Sequence, residues 1–227
     1  MNSPQDDLDT SSARKEILSR IRSLQSRPES ARETEKRLAD EYVASHAIGP
    51  QPSPVADVVS LFVEKTKAML STVDVVVSED GVVDAVKSYL SERGLSGKVS
   101  IWPTLDHLDW QALGLDVKFG APAGDDLIGV SGVAYAVAET GTLVFASQPD
   151  QPASTHLLPE THIAVVHAAQ VVHTMERVFE LRRQAGLAMP RAMNFVSGPS
   201  RTADIEQTIV LGAHGPYRVH VVLVQAS

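Results

Sequence analysis

Apolar and polar positions change their rhythm several times along the chain. Ile17, Leu18, Ile21 and Leu24 recur every three or four positions within a charged segment, the spacing of one narrow helical stripe. From Arg27 to Glu41 charges of both signs dominate and little periodic apolar content is visible. The run Gly49-Pro50-Gln51-Pro52-Ser53-Pro54 then disfavours regular structure, because proline lacks an N–H and fixes φ. Residues 1–53 therefore read as an N-terminal arm, helical in part, whose first twelve polar residues are expected to be disordered.

Beyond this linker, residues 54–227 alternate between helical and strand-like patterns. Val58, Leu61, Phe62 and Met69 fit a helix with Asp57 as its N-cap, and Val82, Val83, Val86, Tyr89 and Leu90 fit another closed by Gly94. Met175, Val178, Phe179 and Leu181 mark a third, ending near Gly186. Short β-branched runs predict strands over 73–77, 98–102, 134–137, 142–146, 162–166, 192–196 and 219–224. Continuous apolar strands between amphipathic helices predict an α/β domain, a mostly parallel sheet covered on both faces.

Composition narrows the chemistry. Aromatic residues make up 5% of the chain, so Val, Ala, Leu and Ile must build the core. The formal charge of −8 argues against nucleic acid as a partner. No apolar run reaches about 18 residues, the length that spans a bilayer, so no membrane partner is expected. The first residues, Asn2, Ser3, Pro4, Gln5, Asp6 and Asp7, do not resemble a secretory signal, and a cytoplasmic location is expected. Cysteine is absent, which excludes a thiol nucleophile and any cysteine-ligated cluster on this chain.

Two polar, glycine-bearing turns are the best candidates for a site. Ser197, Gly198, Ser200, Arg201 and Thr202 follow a predicted strand directly, where ligands of open α/β sheets bind. Their hydroxyls and the planar donor fork of Arg201 suit a carboxylate or phosphate. A short helix over 203–207, capped by Ser200 or Thr202, would add free amides. The alternative is an ordinary capping turn with Arg201 paired to Asp204 or Glu206. Glu139 precedes the second turn, Thr140-Gly141-Thr142. It is placed to act as base, nucleophile or hydrogen-bond acceptor, or else to pair with an arginine or cap a backbone amide. His162, His167 and His173 are spaced by five and six, which suits neither a helical nor a strand metal pair, so no metal is expected. His156 and His214 lie near turns and can hydrogen-bond a substrate. Dinucleotide and P-loop fingerprints are missing.

Together these segments resemble a known family. Glu139-Thr140-Gly141-Thr142-Leu143-Val144 and Leu157-Leu158-Pro159-Glu160-Thr161-His162 are similar to the lactate-utilisation (LUD) domain. Ser197-Gly198-Pro199-Ser200-Arg201-Thr202-Ala203-Asp204-Ile205-Glu206 and Gly212-Ala213-His214-Gly215-Pro216 resemble its LutC/YkgG branch. The resemblance implies a three-layer α/β/α fold like that of the sugar-phosphate isomerase and CoA-transferase (NagB/RpiA/CoA transferase-like) group, over residues 54–227. It also implies a part in oxidising L-lactate to pyruvate beside LutA-like and LutB-like partners that carry the iron–sulfur clusters, this chain holding no cofactor itself. A small anion is then the expected ligand of Thr140, Gly141, Thr142, Ser197, Gly198, Ser200, Arg201, Thr202 and His214, with Glu139 as the catalytic candidate. A free-standing enzyme for CoA-linked or phosphorylated substrates, and a non-catalytic assembly module, are the competing readings. A homo-oligomer is compatible with each.

Overall fold

The computed structural model describes residues 10–25, 28–46, 49–205 and 208–225. Two compact units meet in sequence between Pro50 and Gln51. The first holds helices α1 (Ser11–Gln25) and α2 (Glu29–Ser45). Helix α1 carries the predicted stripe. Helix α2 covers the charged stretch that showed little apolar period. It forms because Glu, Arg, Lys, Ala and Leu are strong helix formers, assisted by an Arg37–Glu41 pair at 2.7 Å one turn apart.

The second unit is built on six parallel strands. These are β1 (Thr72–Val76), β2 (Lys98–Ile101), β3 (Asp116–Phe119), β4 (Ile128–Ser131), β7 (Thr161–His167) and β12 (Arg218–Val224). Their spatial order is β1-β12-β7-β4-β2-β3, every neighbouring pair parallel. A second sheet, ordered β8-β5-β6-β9, contains β5 (Tyr135–Val137), β6 (Thr142–Ala146), β8 (Val171–Val172) and β9 (Met193–Val196). Helices α3 (Val58–Ala68), α4 (Val82–Glu92), α5 (Ser154–Leu157) and α6 (Met175–Gln184) complete the frame. Asp57 caps α3 by accepting from Ser60 N–H at 2.9 Å, and Gly94 is left-handed just beyond α4, both as the pattern predicts.

Alternation along the central strands separates two cores. Val99, Ile101, Val130, Ile163, Val165 and Val222 meet Val82, Val86 and Leu90 of α4 on one face. Ala164, Val166, Val221 and Leu223 meet Phe62 of α3, Trp102 and the inner residues Ala136, Leu143 and Phe145 of the second sheet on the other. The chain is thus α/β with a mostly parallel central sheet. The layer opposite α4 is α3 together with a small sheet, whose outer side packs on Val178 of α6.

One local expectation fails. Residues Arg201–Ile205 form strand β10, paired antiparallel with β11 (Thr208–Leu211), and not a capped helix over 203–207. Its Ser, Thr and Asp residues suit a cap, but a hairpin pairs their backbone groups instead. Glu206 and Gln207 lie outside the described residues.

Candidate functional site

Strand order fixes where a ligand can enter. From β2 the chain moves outward to the edge strand β3, while from β4 it runs the other way, through β7 to β12. Loops leaving the carboxyl ends of the adjacent strands β2 and β4 therefore diverge and open a crevice, the usual ligand position in such sheets. A cleft of about 210 Å³ lies there. Trp102 and Thr104 line it from beyond β2, Gly132 from beyond β4, His167 from the end of β7, and Glu79 from the turn after β1.

Glu79 is the centre of its polar chemistry. Its Oε1 lies 3.0 Å from His167 Nε2 and its Oε2 lies 3.4 Å from His107 Nε2. His167 is held on its other side. Its side chain accepts from the backbone N–H of Gln170, while Gln170 Oε1 accepts from the backbone N–H of His167 at 2.8 Å. Gln170 Nε2 in turn donates to Val133 carbonyl oxygen at 2.7 Å. With Nδ1 used as acceptor, neutral His167 carries its proton on Nε2 and donates it to Glu79. One wall is fixed by Trp102, whose Nε1 donates to Pro152 carbonyl oxygen at 3.1 Å. A half-exposed carboxylate between two imidazoles can take or release a proton beside a small bound molecule.

The residues singled out from sequence lie elsewhere. Thr140, Thr142 and Ser197 form a chain of hydroxyls, with Oγ1–Oγ1 and Oγ1–Oγ separations of 2.6 Å each. Gly141 (φ 64°) presses on the Lys65–Thr66 backbone, and Gly198 (φ 78°) on the Met69 carbonyl. Both turns thus clasp the carbonyl end of α3, where a helix dipole favours positive rather than negative charge. Arg201 is exposed, with Nη2 3.8 Å from Met69 Sδ. Thr202 pairs with Val210 in the β10–β11 hairpin. Ser200 N–H donates to Pro216 carbonyl oxygen and its own carbonyl accepts from Gly212 N–H, pinning the bend that bears the exposed His214. Glu139 Oε1 accepts from Met175 N–H at 3.1 Å, capping the first turn of α6. Structure therefore gathers Thr140, Gly141, Thr142, Ser197 and Gly198, and none of the ten singled-out residues lines the crevice.

Three histidines are buried instead of being available to solvent. His162 Nε2 meets Ser131 Oγ at 2.9 Å, and burial pushes its pKa down to about 3. His156 stacks on Phe145 at 3.9 Å, pairs with Asn194 at 3.0 Å, and is pushed down to about 4 by burial. His220 stacks on Tyr89 at 3.9 Å and meets Thr72 Oγ1 at 2.8 Å. Burial takes it to about 4 against the opposing pull of Asp74. All three are neutral at pH 7. Among the described residues no three His, Asp or Glu side chains are grouped to hold a metal.

Glu79 and His107 escaped the sequence, and His167 was weighed only as a metal ligand, because no motif joins the three. Position alone signals two of them. Glu79 stands just after the predicted strand 73–77 and His167 just after 162–166, at carboxyl ends of strands in a sheet read as parallel.

Several curated proteins resemble this chain. "Lactate utilization protein C" of Bacillus licheniformis is 34% identical over 146 residues, 59% of this chain and 58% of that protein. The protein of the same description from Exiguobacterium sp. is 40% identical over 101 residues, 43% of this chain and 44% of that one. The chain thus matches about half the length of these curated relatives. A crystal structure of a DUF162 family protein from Deinococcus radiodurans shares the fold. It has a TM-score of 0.57 at 24% identity and covers 76% of this chain and 99% of that one. The LUD domain family matches residues 59–224, nearly the whole second unit, and the chain belongs to that family.

Proposed function

We propose that this chain is the LutC-like component of a cytoplasmic system that oxidises L-lactate to pyruvate. In this reading it binds a small 2-hydroxy or 2-keto carboxylate in the crevice and acts beside LutA-like and LutB-like iron–sulfur proteins. Several curated relatives described as lactate utilization protein C support the role, and the absence of cysteine supports clusters carried by partners rather than by this chain. The cleft's volume of about 210 Å³ supports a ligand of a few heavy atoms, being below the roughly 300–1,000 Å³ of drug-sized sites.

Lactate becomes pyruvate by losing two protons and two electrons. The Glu79–His167 pair accepts the hydroxyl proton, and His107 offers a donor to the acid's carboxylate, which needs a proton or cation between itself and Glu79. The Cα hydrogen leaves as the second proton, to solvent, and the two electrons of its bond need an oxidant outside this chain, which iron–sulfur clusters on the partner proteins would supply. Glu139, which a CoA-transfer reading requires as nucleophile, holds the start of α6.

The Glu79–His167 contact at the switch point is the observation that carries this assignment of place. Deleting the gene in its native host should abolish growth on L-lactate. Wild-type protein should restore growth and capture cysteine-rich iron–sulfur partners, while the Glu79→Gln variant should restore capture without growth. Normal growth of the deletion strain on L-lactate would overturn the role. Full rescue by Glu79→Gln would overturn the site alone.

A further inference from the structure

The crevice holds one carboxylate and no permanent positive charge. Among the described residues that line it none is lysine or arginine, so a side-chain cation there can only be an imidazolium. A 2-hydroxy or 2-keto acid brings a second carboxylate to Glu79, and like charges in one site disfavour each other. Thr104 and Gln151 line the same cleft as neutral polar groups. They can hydrogen-bond an anion, yet they leave its charge uncompensated against Glu79. Among the described residues no three His, Asp or Glu side chains are grouped to hold a metal that would compensate it. A proton remains.

The two imidazoles beside Glu79 are not equivalent as its carrier. His167 already accepts from the backbone N–H of Gln170, while its Nε2 lies 3.0 Å from Glu79 Oε1. A second proton on this ring would set donor against donor and break the bond to Gln170. His107 carries no such restraint. Its ring is half-exposed, its Nε2 lies 3.4 Å from Glu79 Oε2, and among the described residues no backbone amide donates to it. Glu79 faces it from the turn after β1, with Asp80 next in the chain and His167 beyond, and Asp106 and Asp109 flank it in its own exposed loop. These fixed charges are all negative and add to the repulsion that a bare anion meets.

We infer that the crevice takes its carboxylate ligand together with one proton, and that His107 carries this proton. The inference rests on the reading of the crevice as a carboxylate site. An imidazolium at His107 keeps a donor on Glu79 and sets a positive charge beside the anion. His167 keeps its single proton and its place against Glu79. Ligand is therefore held more weakly as the solution becomes more basic.

Titration calorimetry of the full chain with pyruvate, repeated in two buffers of different ionisation enthalpy, counts the protons. At about pH 7.5 close to one proton should be taken up per anion bound. Affinity should fall by up to about tenfold per pH unit above neutrality, the linkage of a single proton. Lactamide, which has nearly the shape of lactate without its charge, should bind with no uptake. His107→Gln, at a half-exposed position, should abolish the uptake and flatten the pH dependence for pyruvate. Uptake that persists in His107→Gln overturns the assignment, as does the same pH dependence for lactamide. Pyruvate binding without uptake, or binding lost to a chelator, overturns the inference and leaves the crevice as the site. No binding of pyruvate or L-lactate at any pH from about 6 to 8 overturns the reading of the crevice, and the inference with it.

Discussion

His167 faces Glu79 at 3.0 Å with its proton already directed, because the opposite ring nitrogen accepts from the backbone of Gln170. The capping pair formed by His167 and Gln170 thus sets the tautomer of a group inside the crevice. Gln170→Ala removes the bond from Gln170 Oε1 to the His167 N–H and the tie to Val133, and so loosens the turn whose backbone N–H holds the ring. Affinity for a small 2-hydroxy acid should fall by about 1–1.5 kcal/mol, roughly tenfold, the scale of one lost hydrogen bond. Titration calorimetry checks the affinity, and nitrogen NMR of the His167 ring checks the tautomer. An unchanged tautomer and affinity would show that the backbone N–H of residue 170 orients the ring without help from the Gln170 side chain.

Gly198 and Gly141 report on the clasp around the end of α3. Both have positive φ, and a Cβ at Gly198 would collide with the Met69 carbonyl. At Gly141 it would come within 2.5 Å of Thr66 N. Backbone atoms on a packed helix end cannot give way as a side chain tip does. Gly198→Ala and Gly141→Ala should each cost about 3 kcal/mol or more, at or above the top of the usual range for single substitutions. Chemical denaturation measures this, and a loss below about 1 kcal/mol would show that the helix end yields.

Legibility in the sequence followed local self-sufficiency. Strands β7 and β12 could be read because they are largely apolar runs, buried on both faces, and the edge strand β1 because of its β-branched residues. Strand β4 could not, since Ile128-Gly129-Val130-Ser131 is broken by a glycine. That glycine is a packing requirement: a Cβ at Gly129 would run into the Thr155 carbonyl of α5, a contact no local pattern reveals. The candidate turns were chosen for composition, and they do meet, through Thr142 and Ser197. They meet over the wrong end of a helix for an anion, which depends on where α3 packs. Glu79, His107 and His167 come from three separate segments, and only strand order brings them together.

Glu139 separates a capping role from a chemical one. Its carboxylate accepts from Met175 N–H at the start of α6. Glu139→Ala should cost about 1 kcal/mol, as the loss of a helix N-terminal partner does. Glu139→Gln keeps an acceptor oxygen and should cost less. Neither should lower complementation of growth on L-lactate. Loss of complementation by a stable Glu139→Gln protein would return Glu139 to the chemistry.

The three buried histidines make stability depend on acid in a defined window. In the unfolded chain an imidazole titrates near pH 6.5, whereas burial holds His162 at about 3 and His156 and His220 at about 4 in the fold. Below pH 6.5 the unfolded state therefore takes up protons that the folded state refuses. Their contribution is complete above pH 6.5 and is lost as pH falls toward 4 and then 3. Each histidine adds a slope approaching about 1.4 kcal/mol per pH unit once its unfolded form is protonated. Ordinary carboxylates titrate near or below about pH 4, so the interval from 6.5 to 4.5 reports mainly on imidazoles. Urea midpoints across that interval should fall steadily with acid. His162→Asn keeps a polar partner for Ser131 and carries no ionisable group. It should lower stability at pH 7 yet flatten the slope by roughly one proton's share, about 1.4 kcal/mol per pH unit. A slope identical to wild type would mean that His162 takes up its proton in the folded protein as readily as in the unfolded chain.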